Sequence, residues 1–167
     1  MKTLVILMAP PGAGKRELAE YLHSRHENSI IVNKNNFVKD GLESAATAYY
    51  HTIDRWLRED DAYVIINSHT VLYQDRIELF KNLNLNGVKV IGVWIEASRR
   101  EAARRNAAKP KEVRPSQEEV DLLFKYKMSP IPEEPFDDLV YIMRDADVAM
   151  SKSYPYITTA LGALDRI

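Results

Sequence analysis

Apolar runs of strand length recur along this chain, and between them the apolar positions fall at helical spacing. Residues 3–8, TLVILM, are apolar on both faces, the pattern of a strand buried within a parallel sheet. SIIVN (29–33), YVIIN (63–67), VKVIGVWI (88–95) and DLVYIM (138–143) repeat it. An Asn86-Gly87 turn signal introduces the fourth run. The segments between these runs predict helices. From Gly14 to His26, Leu18, Ala19 and Leu22 mark one face. Over 43–60 the stripe is Ala46, Tyr49, Tyr50, Ile53 and Leu57. Helices are also predicted over 73–82, 98–106, 116–127 and 155–166, with Ser116 and Glu119 as a capping signature.

Strands that alternate with helices, each strand apolar throughout, predict the α/β class. The expected architecture has three layers, a parallel five-stranded sheet covered by helices on both faces. Crossovers should be right-handed. No repeat, low-complexity tract or domain boundary interrupts the pattern, so residues 1–167 read as one domain. Two prolines break the loop 108–116, and the stretch from about 105 to 130 reads as a lid between the fourth and fifth strands.

Composition adds mainly exclusions. The chain is 46% hydrophobic and 28% charged, with a net charge of −1, so no global basic field holds nucleic acid and any such contact needs a local patch. With no cysteine, disulfides, thiol nucleophiles and thiolate metal sites are excluded, which fits a cytoplasmic protein. The start, MKTLVILMAPPGAGK, is a poor signal peptide, because its short apolar run leads straight into a glycine loop. No stretch is long enough to span a membrane, so no membrane partner is expected. The oligomeric state is not set by these features.

The chemistry begins at MAPPGAGKREL (8–18). A phosphate-binding loop reads G-x-x-x-x-G-K-[ST] between a buried strand and a helix. Here Ala9 takes the first position, and Pro11, Gly12, Ala13, Gly14, Lys15 and Arg16 complete the loop. Backbone amides and the helix N-terminus would face phosphate oxygens, and Lys15 would reach the β- and γ-phosphates. Arg16 replaces the hydroxyl that normally ligates Mg²⁺. It either contacts phosphate directly or turns away to pair with Glu20 one turn later. The third strand ends in Asn67-Ser68-His69, without the Asp that often orients the metal's water shell.

PGAGK (11–15), VNKNNF (32–37), RRNAAKPKEVRP (104–115) and EEPFDDLVYI (133–142) together resemble the kinase domain of phage polynucleotide 5′-hydroxyl kinase and the small P-loop kinases around it. The resemblance covers most of the chain. It implies the P-loop NTPase fold with strand order 2-3-1-4-5, ATP or another NTP as ligand, and a hydroxyl on a nucleotide or a nucleic-acid 5′ end as acceptor. A small hydroxyl substrate is open as well. By the same resemblance, the family's proton-accepting Asp falls on Asn35, an acceptor-side Arg falls on Val38, and the lid Arg that contacts ATP falls near Arg105 and Lys109. An amide cannot accept a proton as a carboxylate does. The phosphate cradle is therefore kept while the metal and base positions are rewritten. Mg²⁺ belongs to the implied reaction, yet its usual ligands are missing.

Other residues have two readings each. His69, at the end of a central strand, is either a substitute general base or a histidine bonding a loop carbonyl. Asp40 is either a base or a helix cap. Arg99, Arg100, Arg104, Arg105, Lys109, Lys111 and Arg114 either clamp phosphates or form a solvated face balanced by Glu96, Glu101 and Glu112. Tyr49, Tyr50, Trp56 and Tyr63 either stack bases or fill the core. Three functions stay open: an ATP-dependent kinase of nucleotides or nucleic acids, a degenerate kinase that only binds nucleotide or phosphate, and a small-molecule kinase.

Overall fold

The computed structural model describes residues 1–40, 42–143 and 167, leaving aside the side chains of 38–43. The helix expected over 155–166 lies outside the described residues. In chain order the elements are β1 (Lys2–Met8), α1 (Lys15–Arg25), β2 (Ser29–Val32), a 3-10 helix (Lys34–Asp40), α2 (Leu42–Trp56), β3 (Tyr63–Ile66) and α3 (Tyr73–Asn82). There follow β4 (Val88–Glu96), α4 (Arg99–Ala107), a short 3-10 turn (Lys111–Val113), α5 (Gln117–Tyr126) and β5 (Asp138–Met143).

The five strands form one parallel sheet in the order β2-β3-β1-β4-β5. β1 is central, with Val5 level with Ile65 of β3 and Ile91 of β4. Alternation along β1 divides the core into two layers. Val5 and Leu7 pack with Leu18, Ala19 and Leu22 of α1. Leu4, Ile6 and Met8 pack on the other face with Tyr49 and Ile53 of α2 and Leu79 of α3. Each such fully buried aliphatic side chain contributes about 1.5–3 kcal/mol. α4 and α5 join through a small cluster of Ala102, Val120 and Phe124.

Three local features depart from the sequence pattern. α2 stops at Trp56, where bonds from Arg58 N to Arg55 O and from Glu59 N to Trp56 O tighten the chain into a turn. No apolar residue after Leu57 is left to hold a longer helix. The buried alanine of α2 is Ala45, with Ala46 only partly covered. The polar stretch KNNFVKD folds into a 3-10 helix, started by Asn33, whose side-chain oxygen accepts the Asn35 amide at 3.0 Å.

The loop between β3 and α3 is pinned from below by a buried arginine. Arg76 is wholly buried and donates from Nε and Nη2 to the two carboxylate oxygens of Glu134 at 2.6 and 3.2 Å. It also donates to the Thr70 carbonyl at 2.9 Å, while the Thr70 hydroxyl donates to the Leu7 carbonyl at 2.6 Å. The Met128 amide donates to the Val71 carbonyl at 3.0 Å. The end of β1, the loop after β3, the end of α5 and the 129–136 connection are thereby fixed together. All of this lies at the C-terminal edge of the sheet, where ligands of open α/β sheets bind.

Candidate active site

The glycine loop leaves the end of β1 and turns directly into α1. Within it the Ala13 amide donates to the Pro10 carbonyl at 3.2 Å, so that amide closes the turn. Gly12 has φ +91°, and a Cβ there would lie 2.4 Å from the Ala102 carbonyl oxygen of α4. Only glycine permits this approach of the loop to α4. Gly14 precedes α1, and no side chain caps that helix. Its first amides therefore remain available to an anion, with the helix dipole behind them. Asn106 of α4 braces the loop from outside by donating from Nδ2 to the Pro11 carbonyl at 3.1 Å.

Lys15 curls over the loop and donates from Nζ to the Ser68 carbonyl at 2.5 Å. Burial, with help from the charge of Lys109 and against that of Glu119, lowers its pKa to about 8. Ser68 is a hub. Its hydroxyl accepts the Lys34 amide at 3.0 Å and lies 3.3 Å from the Tyr49 hydroxyl. The lysine that would grip phosphate and the segment after β2 thus meet at one residue.

The cleft over the loop has a volume of about 800 Å³. Lys15, Arg16, Asn35, His69, Arg105 and Lys109 all line it, although they come from four separate stretches of sequence. Pro11, Gly12 and Gly14 form its floor, whereas Ala13 points its methyl group into the core. Arg16 is 77% exposed and pairs with Glu20 at 3.3 Å. Arg105 pairs with Glu17 at 3.1 Å and with Glu101 at 3.4 Å. Lys109 is held below its ordinary pKa by burial first, with Arg16 and Arg105 adding and Glu17 and Glu119 opposing. A trianionic group in the cleft would meet these cations at once.

Three other members of the basic run have protein partners. Arg99 pairs with Asp121 and Arg104 with Glu101. Arg114 donates to the carbonyls of Ala107 and Lys109, which shapes the turn after α4. Glu96 does not balance this run. It is buried, accepts from the Trp94 indole at 2.9 Å and pairs with Lys127. Tyr49 and Tyr63 are buried in the core, and Tyr50 and Trp56 are partly so.

Among the described residues the His69 ring is paired with a carboxylate and not with a loop carbonyl. Its Nε2 lies 3.4 Å from Glu119 Oε1 of α5, and both side chains are about two-fifths exposed. Burial is the largest cause of a lowered His69 pKa, with Lys15 and Lys34 adding and Glu119 and Asp75 opposing. Burial thus favours the neutral imidazole, the form able to accept a proton. The side chain of Asp40 lies outside the described residues.

The donor set does not fit the usual Mg²⁺ anchorage of a phosphate loop. Arg16 stands at the hydroxyl position and turns to Glu20. The Ser68 hydroxyl is committed to Lys34 and Tyr49. Among the described residues no group of three or more His, Asp or Glu side chains converges.

Loop, sheet order and cleft together define the fold of the P-loop kinases. It is found in Chaetomium thermophilum Kti12 in complex with ADP-AlF3, at a TM-score of 0.69, 15% identity, 98% of this chain and 96% of that one. A fungal RNA kinase matches at a TM-score of 0.65, 14% identity, 98% of this chain and 81% of that one. A gluconokinase from Sinorhizobium meliloti 1021 matches at 0.60, 12% identity, 98% and 92%. No protein-family model and no curated protein matches the sequence. Among the described residues no helix is long and apolar enough to cross a membrane.

Sequence reasoning missed Asn106, Glu134 and the binding partner of His69. Asn106 sits in the last turn of α4, at the end of a basic run, with no local signal. Glu119 was visible only as half of a capping signature, and its amide does bond the Ser116 hydroxyl at 3.1 Å.

Proposed function

We propose that this chain is a single-domain ATP-dependent phosphotransferase with a lid at about 105–130. It moves the γ-phosphoryl group to a hydroxyl of a nucleotide or a nucleic-acid end. The observation that carries the reading is the meeting of Lys15, Arg105 and Lys109 with His69 and Asn35 around one cleft at the glycine loop. Donor-side cations and an acceptor-side base share a single space.

The loop amides and Lys15 hold the β- and γ-phosphates. Arg105 and Lys109 exchange Glu17 and neighbouring carboxylates for phosphate oxygens and stabilise transition-state charge. Asn33 and Asn35 hydrogen-bond the acceptor, and neutral His69 replaces the missing carboxylate base. Such a transfer is mostly positioning and electrostatics, so a rewritten base position lowers its rate without forbidding it. A cytoplasmic location, where ATP is abundant, goes with this reading.

A second reading has its own support. Arg16 pairs with Glu20, Asn35 cannot act as a base, and both leave a chain that binds nucleotide without using it. Labelled ATP and a panel of 5′-hydroxyl oligonucleotides, nucleosides and sugars separate the two. Transfer to any acceptor, lost in Lys15→Ala, supports a kinase, and the acceptor identifies which kind. Tight ATP binding with no transfer supports the binding module.

A further inference from the structure

The His69 contact with Glu119 joins two elements that are far apart in sequence. His69 stands on the loop after β3, and Glu119 stands in the first turn of α5. Both side chains line the phosphate cleft. α5 is tied to the same loop at its other end by the bond from Met128 N to Val71 O. The helix is thus held against the loop at both ends, by a polar contact inside the cleft and a backbone bond outside it.

We propose that Glu119 is the positioning residue of an acceptor-side base, holding His69 in one tautomer and supporting the imidazolium that forms on it. The inference rests on the phosphotransfer reading of the cleft. A carboxylate beside Nε2 keeps the proton on that nitrogen and leaves the Nδ1 lone pair as the acceptor. A base oriented by a third group is the common logic of activated nucleophiles. In the transfer, the acceptor O–H bond breaks and its proton passes to Nδ1. The acceptor oxygen bonds the γ-phosphorus as the bond from that phosphorus to the ADP oxygen breaks. The imidazolium then lies between Glu119 and the newly phosphorylated product, and it later releases its proton to water.

The 3.4 Å separation is long for a hydrogen bond. Contacts of this kind tighten when substrate fills the site. The charges facing His69 come from every element around it: Lys15 from the loop, Lys34 from the 3-10 helix, Asp75 from α3 and Glu119 from α5. Lys15 will be neutralised by bound phosphate, which leaves Glu119 and Asp75 as the charges that favour the imidazolium. Asp75 belongs to α3 and stays with the β3 loop. Glu119 alone comes from the lid, so seating the lid also completes the base.

The test uses the full chain and Glu119→Gln, which keeps the Ser116 cap because that cap uses the backbone amide. Nitrogen-resolved NMR of His69 reads tautomer and titration without needing turnover. The wild type should carry its proton on Nε2. In Glu119→Gln the titration midpoint should move to lower pH and the tautomer preference should fade. With the acceptor found by the oligonucleotide, nucleoside and sugar panel, the variant should lose about tenfold or more in kcat with the KM for ATP unchanged. The acid limb of its rate profile should move to lower pH with the NMR midpoint, and Glu119→Asp should restore part of the rate. An unchanged His69 tautomer and midpoint in Glu119→Gln would overturn the inference. So would an NMR shift with an unmoved rate profile. A wild-type chain that transfers phosphate to nothing overturns the kinase reading instead, and the NMR result distinguishes the two failures.

Discussion

Replacing Gly12 by alanine is a severe test of how the glycine loop is held. Two costs can be worked from the structure. The backbone has φ +91°, a region that costs an L-residue roughly 1–2 kcal/mol. The new methyl group would lie 2.4 Å from the Ala102 carbonyl oxygen and 2.9 Å from its Cα. Both are backbone atoms, so no rotamer change relieves the overlap, and forcing such groups apart costs roughly 1–3 kcal/mol. The expected loss of stability is about 2–5 kcal/mol, read as a lower urea midpoint at constant m. Gly87→Ala supplies the control. It has φ +74° but nothing within 4 Å of the added atom, so it should suffer the backbone term alone. A functional loss should accompany the first change. Moving the loop off α4 separates Lys15 from Arg105 and Lys109, so ADP affinity should fall by more than stability explains. If Gly12→Ala unfolds like Gly87→Ala and binds ADP normally, the close packing of loop on α4 is not what holds the site.

Three other outcomes follow from the same contacts. Glu134→Ala should destabilise the chain by about 3–5 kcal/mol in urea unfolding, because it leaves the fully buried Arg76 without its carboxylate. Burial holds the Lys15 pKa at about 8 in the free protein, and phosphate oxygens will raise it. Above that pH, ATP binding must therefore take up a proton, and calorimetry at pH 9 in buffers of different ionisation enthalpy should detect the uptake in wild type but not in Lys15→Ala. Arg16→Ser with Asn35→Asp restores a metal hydroxyl and a carboxylate base, so transfer should rise about a hundredfold and become more dependent on Mg²⁺. Equal rates in the double variant and the wild type would show that the natural residues already supply both functions.

The strands were legible because each is apolar on both faces, a pattern that few other elements produce. The glycine loop was legible because phosphate geometry demands a short, local motif. What could not be read depends on distance in sequence. Arg76 and Glu134 are 58 positions apart, and an arginine at a helical position ordinarily points to water. Nothing local tells that this one is sealed into the core. His69 and Glu119 are a similar case: one was readable as a candidate base and the other as half of a capping signature, but nothing local joins them until α5 folds over the loop. The 3-10 helix at 34–40 escaped for a different reason. KNNFVKD has too few apolar residues to show any period, although Asn33 ahead of it carries a turn signal. Arg16 was readable as two alternatives, and only the position of Glu20 on the same helical face chooses the ion pair.

The central claim is that one cleft holds both a phosphoryl donor and a hydroxyl acceptor. Its most direct measurement is single-turnover transfer from γ-labelled ATP, with wild type and Lys15→Ala side by side, over the full acceptor panel. The account predicts labelled product with at least one hydroxyl acceptor in the wild type and none with Lys15→Ala. Tight ATP binding by the wild type with label remaining on ATP throughout would contradict it.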